Sequence, residues 1–412
     1  MTSAQTGSLD DAQLARDFDL NAIGPDFINN PFETLRNLRE HDPVHRNPDG
    51  SLFLTRHADV LYAYRNPAMS SDKTVAFRDK FGDGPLYTHH TTSLIFNDPP
   101  YHTVVRKLLS VAFTPRKLKE MEPLIEGVVD GLLDRLEDDK EFDFISAYAM
   151  ALPTEIISFM LGIPEEHRHL LRPYSLKILG ALDPVVPEDR IQAGNDAVAE
   201  FGALLEELIA DRRSKGDQTG QQGEVLAALI FGEVDGRALT DKELVQNCIF
   251  LLNAGHETTT SMVGNSIAML LHHPDQLKRL QDDPTLIDTA VEESLRFESP
   301  LQIGNRMTTD EVEIGGEKFP AGTYIHVSIA GANRDPLVFD DPEVVDVSRK
   351  PNRHLAFASG HHICLGATLA RMEGKIAIGR LIERFPDIRP AGDEEFIGLA
   401  RFRGYNKLPI AV

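Results

Sequence analysis

The segment from Leu244 to Leu271 restricts the fold more than any other, because it has the pattern of a long helix that is apolar on several sides. Thr240-Asp-Lys-Glu243 precedes it and matches a capping box, in which side chains satisfy free backbone N–H groups of the first turn. A helix that is apolar around its circumference is normally buried. The chain must therefore fold as a large body with this helix inside it.

The pattern of the remaining chain predicts a mainly α fold with a minor antiparallel β part. Helical spacing of apolar residues dominates from about Tyr101 to Pro300. Ser51–Thr55 favours a strand, and Val312–Val327 favours one or two hairpins with glycine-containing turns. Because there is no internal repeat and no long linker, residues 1–412 are predicted to form a single domain.

Composition excludes several classes of function. Sixty-four acidic and 42 basic residues give a net charge of −22, which argues against a general nucleic-acid binder. No apolar run approaches the roughly 18 residues of a membrane span, and Met1–Leu20 lacks the pattern of a secretory signal. The two cysteines, Cys248 and Cys364, cannot form a disulfide framework. We therefore expect a cytoplasmic protein with neither a nucleic acid nor a membrane as partner.

A polar block interrupts the apolar helix at Ala254-Gly-His-Glu-Thr-Thr259. Gly255 disfavours a helix by about 1 kcal/mol relative to alanine. Glu257 is costly in a core unless it is paired or hydrated, and Thr258 can hydrogen-bond back to a carbonyl and loosen the helix. Residues that weaken a buried helix at its middle indicate a functional site.

The second candidate site is Cys364, in the segment Phe357–Arg371. Gly360 permits a sharp turn before it, and Gly366 permits close approach of another group after it. Apolar residues at helical spacing follow, so the cysteine is predicted at a helix start, where backbone N–H groups favour a thiolate. Such a thiolate could be a nucleophile or a metal ligand, whereas a lone cysteine is more often a buried structural residue.

The full spacing around this cysteine, F-x-x-G-x-H-x-C-x-G followed by L-A-R-x-E, resembles the haem-binding loop of cytochrome P450 monooxygenases. Further segments, from about Pro25 to Pro409, are similar to other motifs of that family, which leaves residues 1–24 as an N-terminal extension. The sequence shows no membrane anchor, and in this it resembles the soluble bacterial members of the family. The similar segments are Glu293-Ser-Leu-Arg296 with Arg349 as its third, structural partner, Ala332–Pro336, Asp98–Arg106, and Arg403-Gly404 with Leu408-Pro409.

The resemblance implies a cytochrome P450 fold and a role for each matching residue. Cys364 would be the axial ligand of the haem iron. Glu257 and Thr258 would be catalytic and relay protons through water, although the family more commonly has Asp at the position of Glu257. Other residues would bind the haem: His102, Arg106, Arg306 and His362 at its propionates, and Ala254, Gly255, Phe357 and Gly366 beside it.

The implied reaction inserts one oxygen atom from O2 into a small-to-medium, mostly apolar organic substrate on haem b. Because the chain has no flavin or iron–sulfur motif, electrons from NAD(P)H would arrive through a ferredoxin and a ferredoxin reductase. The substrate pocket is predicted at Leu94, Ile95, Phe250, Asn253, Leu301, Gln302 and Ile303. Two alternatives remain, a peroxide-driven peroxygenase and a non-catalytic haem-binding sensor; the intact Glu257 and Thr258 favour the monooxygenase over both.

Overall fold

A computed structural model describes residues 11–216 and 224–412. The first ten residues of the predicted N-terminal extension lie outside the described residues. Within the described ranges, every helix is too short or too polar to cross a lipid bilayer.

Helices make up most of the described chain, which confirms the predicted mainly α class. In chain order they are α1 Pro25–Asn29, α2 Phe32–His41, α3 His57–Arg65, α4 Thr74–Phe81, α5 Pro85–Thr92, α6 Tyr101–Ser110, α7 Pro115–Leu136, α8 Ala151–Leu161, α9 Leu171–Gly180, α10 Glu188–Lys215, α11 Glu224–Phe231, α12 Asp241–Gly255, α13 Glu257–His272, α14 Pro274–Asp282, α15 Ile287–Phe297, α16 Ile329–Ala332 and α17 Ala367–Arg384. Single turns of other helix types include the π turn Ile145–Ala149 and the 3-10 turns Leu94–Phe96 and Gly360–His362.

The strands form small sheets beside the helices. They are β1 Val44–Arg46, β2 Leu52–Leu54, β3 Met69–Ser70, β4 Glu141–Asp143, β5 Ile303–Thr308, β6 Val312–Ile314, β7 Glu317–Phe319, β8 Tyr324–Ser328, β9 Arg389–Pro390, β10 Glu395–Phe396, β11 Tyr405–Lys407 and β12 Pro409–Ala411. The largest sheet has the order β1-β2-β8-β5-β3, and β6 and β7 form the predicted hairpin. The pairings are antiparallel as predicted, except that β2 and β8 run parallel.

Helix α13 lies at the centre of the large helical core. It packs against α8, α15, α17 and the π turn, so protein surrounds it on several sides. Between Thr259 and Leu271 each of its residues is buried. Coverage on all sides explains why this segment has no polar stripe.

The predicted helix from Leu244 to Leu271 is not continuous, which corrects that expectation. The capping box at Thr240 is present and begins α12, but the helix is interrupted at His256, whose ψ is −70°. Next to the interruption, the Thr258 hydroxyl donates to the Ala254 carbonyl over 2.5 Å. A side-chain donor at this position competes with the backbone ladder, which is the physical reason that the helix is locally irregular.

Candidate active site

The loop before Cys364 is held against the end of α3. Gly360 has a φ of +73°, and a Cβ at this position would lie 2.2 Å from the carbonyl oxygen of Tyr64. Glycine is therefore required both by the backbone angle and by the space. The Cys364 N–H donates to the Phe357 carbonyl over 2.9 Å and closes the loop. The result is a rigid turn that leaves Cys364 exposed while His362 is buried.

The helix that follows Cys364 begins later than the sequence pattern predicts. Helix α17 starts at Ala367 with Gly366 as its N-cap. Although part of the Cys364 side chain is exposed, the protein packed around it raises the pKa of its thiol, and the Gly366 N–H and the Arg106 charge oppose that rise. The N–H of Gly366 at the helix start thus favours a thiolate, but desolvation of the thiol is the larger effect and leaves its pKa raised.

Three histidine rings and an arginine gather beside this loop. The ring centres of His102 and His362 are 4.2 Å apart, and those of His361 and His362 are 4.4 Å apart. His102 Nε2, His362 Nε2 and Arg306 Nε are buried, and none has a hydrogen-bond partner in the described chain. Burial lowers the pKa of His102 to about 4 and that of His362 to about 2. Buried nitrogens without partners, next to the positive charge of Arg306, fit a polar group that binds here from outside the chain.

Arg106, predicted in the same cluster, has a different contact. Its Nη2 donates to the carbonyl oxygen of Ile363 over 2.7 Å. The contact joins α6 directly to the cysteine loop. In the described structure Arg106 therefore fixes the loop, while His102, one turn earlier on α6, carries the unpaired nitrogen.

On α12 and α13, the accessible residues flank the helix interruption at His256. Ala254 is exposed, and Gly255 and Thr258 are partly exposed, in a stretch where their neighbours are buried. A Cβ on Gly255 would be 3.7 Å from Ile157 Cδ1, an ordinary contact. Ala254 and Gly255 thus carry little or no side chain in the stretch that includes the partly exposed Thr258.

Glu257 points to the opposite, buried side. Its Oε2 lies 3.4 Å from Nε of Arg172, and its Oε1 has no partner in the described chain. Burial raises the pKa of Glu257 to about 7, and the positive charge of Arg172 opposes that rise. The carboxyl group can therefore hold or release a proton near neutral pH, as a proton relay requires.

His256 is held from the other side. Its Nε2 lies 2.8 Å from the Thr154 hydroxyl, which itself donates to the Met150 carbonyl over 2.7 Å. The hydroxyl must then accept from Nε2–H, which leaves Nδ1 without a proton and 3.9 Å from Glu257 Oε2. Neither Arg172 nor Thr154 stands in a recognisable motif, so sequence analysis missed both residues.

The two halves of the site are connected through α13 and α17. The Thr259 hydroxyl donates to the buried Glu373 carboxyl over 3.4 Å, and burial raises the pKa of Glu373 to about 8. A Cβ on Gly374 would lie 3.0 Å from Met262 Cε, so these helices approach closely. This contact places the helix that follows Cys364 directly against the helix that begins at Glu257.

The residues predicted to line a substrate pocket separate into two groups. Leu94 is buried and its N–H donates to Asn247 on α12, Phe250 and Asn253 lie on α12, and Ile95 is exposed. The prediction for Ile303 is wrong, because its side chain packs with Leu20, Leu35, Leu38 and Phe53 on the N-terminal side of β5. The alternating direction of side chains along a strand accounts for the error. Gln302 lines a small crevice with Ile303, and Leu301 packs near Leu399 and Phe402.

The Glu293-x-x-Arg296 pair lies in the interior with Arg349. Arg296 donates to both carboxylate oxygens of Glu293, over 2.7 and 2.8 Å, and both residues are almost completely buried. Arg349 Nε lies 3.1 Å from each of the same oxygens. The three side chains therefore form one buried ion network that joins α15 to the loop before the cysteine.

Comparisons with known proteins agree with this geometry. Residues 61–395 match the cytochrome P450 family. The vitamin D(3) 25-hydroxylase of Pseudonocardia autotrophica is 37% identical over 395 residues, which cover 94% of each chain. The structure of P450BioI in complex with an acyl carrier protein ligated to hexadec-9Z-enoic acid has a TM-score of 0.89 at 32% identity, covering 95% of this chain and 100% of that one. The structure of CYP109E1 from Bacillus megaterium in complex with testosterone has a TM-score of 0.80 at 31% identity, covering 93% and 99%.

The family implies a haem cofactor, and the residues present fit it. An exposed cysteine thiol offers an iron ligand, and the unpaired nitrogens of His102, His362 and Arg306 offer donors for two propionates. The interruption between α12 and α13 adds the partly exposed Thr258 and the buried carboxyl group of Glu257. The chain belongs to the cytochrome P450 family and is a monooxygenase of that family.

Proposed function

We propose that Cys364 is the axial ligand of the haem iron and that His102, Arg306 and His362 hold its propionates. The observation that carries the proposal is the exposed thiol next to three buried nitrogens without partners. When bound, the haem supplies the iron chemistry that activates O2. A metal cation at the sulfur stabilises the thiolate, which offsets the raised pKa of the thiol.

Glu257 and Thr258 deliver protons to the oxygen side of the site. Thr258 is accessible at its hydroxyl, and Glu257 lies behind it with one free oxygen and a pKa of about 7. Arg172 limits the rise of that pKa and orients the carboxyl group. Ala254 and Gly255 supply the space in which oxygen and water can reach the hydroxyl.

The substrate is a small-to-medium, mostly apolar organic molecule. Phe250 and Leu94 supply apolar surface on this side, and the buried Asn253 has an unpaired Oδ1 that can accept one hydrogen bond. The related proteins include a hydroxylase named for vitamin D(3) and a structure that contains testosterone, both in keeping with such a pocket.

A ferredoxin and an NAD(P)H-dependent ferredoxin reductase supply the electrons, in the cytoplasm. The support is the sequence itself, which has only Cys248 besides the proposed haem ligand and no flavin motif. Turnover with a ferredoxin system, compared with turnover on hydrogen peroxide alone, separates this proposal from a peroxygenase. A protein that binds substrate but turns over with neither electron source would instead be a sensor.

The ligand assignment is tested by absorbance of the reduced, CO-bound protein. We expect the red-shifted band of a thiolate-ligated haem, its loss in Cys364→Ala, and its retention in Cys248→Ala. Cys248 is the matched control because it is the other cysteine and is completely buried on α12. A red-shifted band that survived in Cys364→Ala would contradict the assignment.

A further inference from the structure

His256 lies at the interruption between α12 and α13, next to Glu257, and its side chain has no part in the relay proposed above. The ring is completely buried, and its Nδ1 has no hydrogen-bond partner in residues 11–216 and 224–412. A polar atom left without a partner in a core is costly. Packing alone therefore does not explain a histidine at this position.

The hydroxyl of Thr154 on α8 determines which ring nitrogen carries the proton. This hydroxyl lies 2.8 Å from His256 Nε2 and donates its own hydrogen to the Met150 carbonyl over 2.7 Å. Since the hydroxyl has one hydrogen, it accepts from Nε2–H, and Nδ1 keeps a lone pair. Burial and the charge of Arg172 lower the pKa of His256 to about 3, so the ring stays neutral near neutral pH and Nδ1 remains an acceptor.

The Glu257 carboxyl lies between this acceptor and a donor. Its Oε2 is 3.9 Å from His256 Nδ1 and 3.4 Å from Nε of Arg172 on α9. Both distances exceed the roughly 2.7–2.9 Å of a tight charge-assisted hydrogen bond, so neither neighbour holds the oxygen firmly. Arg172 favours the ionised carboxylate, whereas a protonated carboxyl can donate its O–H to Nδ1 after a movement of about 1 Å. The two neighbours thus favour opposite protonation states.

Among the described residues, Arg172 is the charged side chain that acts on Glu257. Burial raises the pKa of Glu257 to about 7, and Arg172 opposes that rise. On the elements other than α9 that pack against α13, the buried acidic, basic and tyrosine side chains have partners of their own. They are Glu373 on α17 with Thr259, Glu293 and Arg296 on α15 with each other, Tyr148 of the π turn with the Ala377 carbonyl, and Tyr405 on β11 with Glu394.

We propose that His256 is a positioning residue of the proton relay, which accepts a hydrogen bond from the protonated Glu257 carboxyl and so favours the form that carries the proton. The inference rests on the relay role proposed for Glu257 and adds the second partner of that carboxyl. When Glu257 releases its proton toward the oxygen side of the site, Arg172 stabilises the carboxylate that remains. A new proton from water restores the contact with Nδ1, and His256 itself stays neutral throughout.

The test replaces Thr154, which fixes the ring. Thr154→Val keeps the shape of the side chain but removes the acceptor of Nε2–H, so the ring proton moves to Nδ1, where it donates to the carboxylate. The Met150 carbonyl still accepts from the backbone N–H of residue 154 over 3.3 Å, so the helix is kept. Because a hydrogen bond to the charged form favours that form, we expect the pKa of Glu257 to fall by about one pH unit. Thr154→Ser keeps the hydroxyl and should leave this pKa unchanged.

The pKa is measured on the ferric, haem-loaded protein from the infrared band of the protonated carboxyl, recorded against pH and assigned by its loss in Glu257→Gln. O2 consumption with a ferredoxin system is measured over the same pH range, and its midpoint should move in the same direction. Thr260→Val is the matched control, because the Thr260 hydroxyl is buried on the same helix and donates to the backbone carbonyl of His256 over 3.0 Å. Both midpoints should stay in place in this control.

A second measurement does not depend on the variants of Thr154. In the reduced, CO-bound protein, which is diamagnetic, nitrogen NMR of labelled histidine should show the His256 proton on Nε2. The resonance is assigned by its loss in His256→Gln. A ring proton on Nδ1 in the unmodified protein would overturn the proposal, because Nδ1 could not then accept from the carboxyl.

Other outcomes would also overturn it. An unchanged infrared midpoint in Thr154→Val shows that the ring does not act on Glu257, and an equal shift in Thr154→Ser or Thr260→Val assigns the effect to packing. An infrared shift without a shift of the O2 profile places the contact outside the relay. Failure of the proposed relay would be distinct, since Glu257→Gln would then keep the O2 consumption of the unmodified protein.

Discussion

Replacing Glu293 by alanine tests the buried ion network of the scaffold. The carboxylate of Glu293 accepts from Arg296, Arg349, the backbone N–H of Asp346 and the side chain of Asn352, at distances from 2.7 to 3.1 Å. Removing it leaves the buried guanidinium of Arg296 with the carbonyl oxygens of Asn333, Pro342 and Val344 as its hydrogen-bond partners and no carboxylate.

The magnitude follows from burial. Stranding one partner of a buried pair costs about 3–5 kcal/mol. A folded protein has a total stability of about 5–15 kcal/mol, so Glu293→Ala removes a large fraction of it. The network also joins α15 to residues 346–352, which lead into the cysteine loop, so haem incorporation is expected to fall with stability.

The assay is the yield of haem-loaded protein together with the urea midpoint of the purified variants. Asp288→Ala is the matched control, since Asp288 lies on the same helix and pairs with Lys375 at the surface, where an ion pair contributes at most about 1 kcal/mol. We expect near-normal yield for the control and little haem-loaded protein for Glu293→Ala. Normal yield and an unchanged midpoint for Glu293→Ala would refute the argument that the network stabilises the fold.

Three further predictions concern the site. Thr258→Ala should keep haem and substrate binding, because neither uses the hydroxyl, but should release hydrogen peroxide in place of product. Measuring NAD(P)H consumed, peroxide released and product formed tests this prediction. An unchanged yield of product per NAD(P)H would contradict it. The pKa of Glu257 is raised to about 7 in the folded state from an ordinary value of 4.5, so the folded state holds this proton more tightly than the unfolded state. The resulting contribution to the free energy of unfolding is complete below pH 4.5 and is lost as the pH rises through 7. Glu257→Gln should abolish that pH dependence of unfolding and slow O2 consumption most below pH 7, where the wild-type carboxyl carries its proton. Gly360→Ala should prevent formation of haem-loaded protein because its Cβ would meet the Tyr64 carbonyl at 2.2 Å, whereas Gly379→Ala, with its nearest contact at 3.7 Å, should be tolerated.

Local sequence was sufficient for the features that depend on neighbouring residues. The capping box at Thr240 needs side chains three positions apart, and the turn at Gly360 needs a residue without a Cβ. The spacing of residues around Cys364 was enough to indicate the family, because the whole motif from Phe357 to Gly366 lies within ten consecutive positions. These features could be predicted since their geometry is determined within a few residues of chain.

Tertiary packing decided what the sequence pattern could not. Arg172 meets Glu257 across 85 positions, and no motif marks either Arg172 or its contact. Ile303 was predicted in the substrate pocket but packs with Leu20 and Phe53, since the direction of its side chain depends on how β5 pairs within the sheet. Desolvation of Cys364 likewise depends on the elements packed around the loop. The sequence therefore determined which residues could do the chemistry, whereas packing between distant segments set their pKa values, partners and orientation.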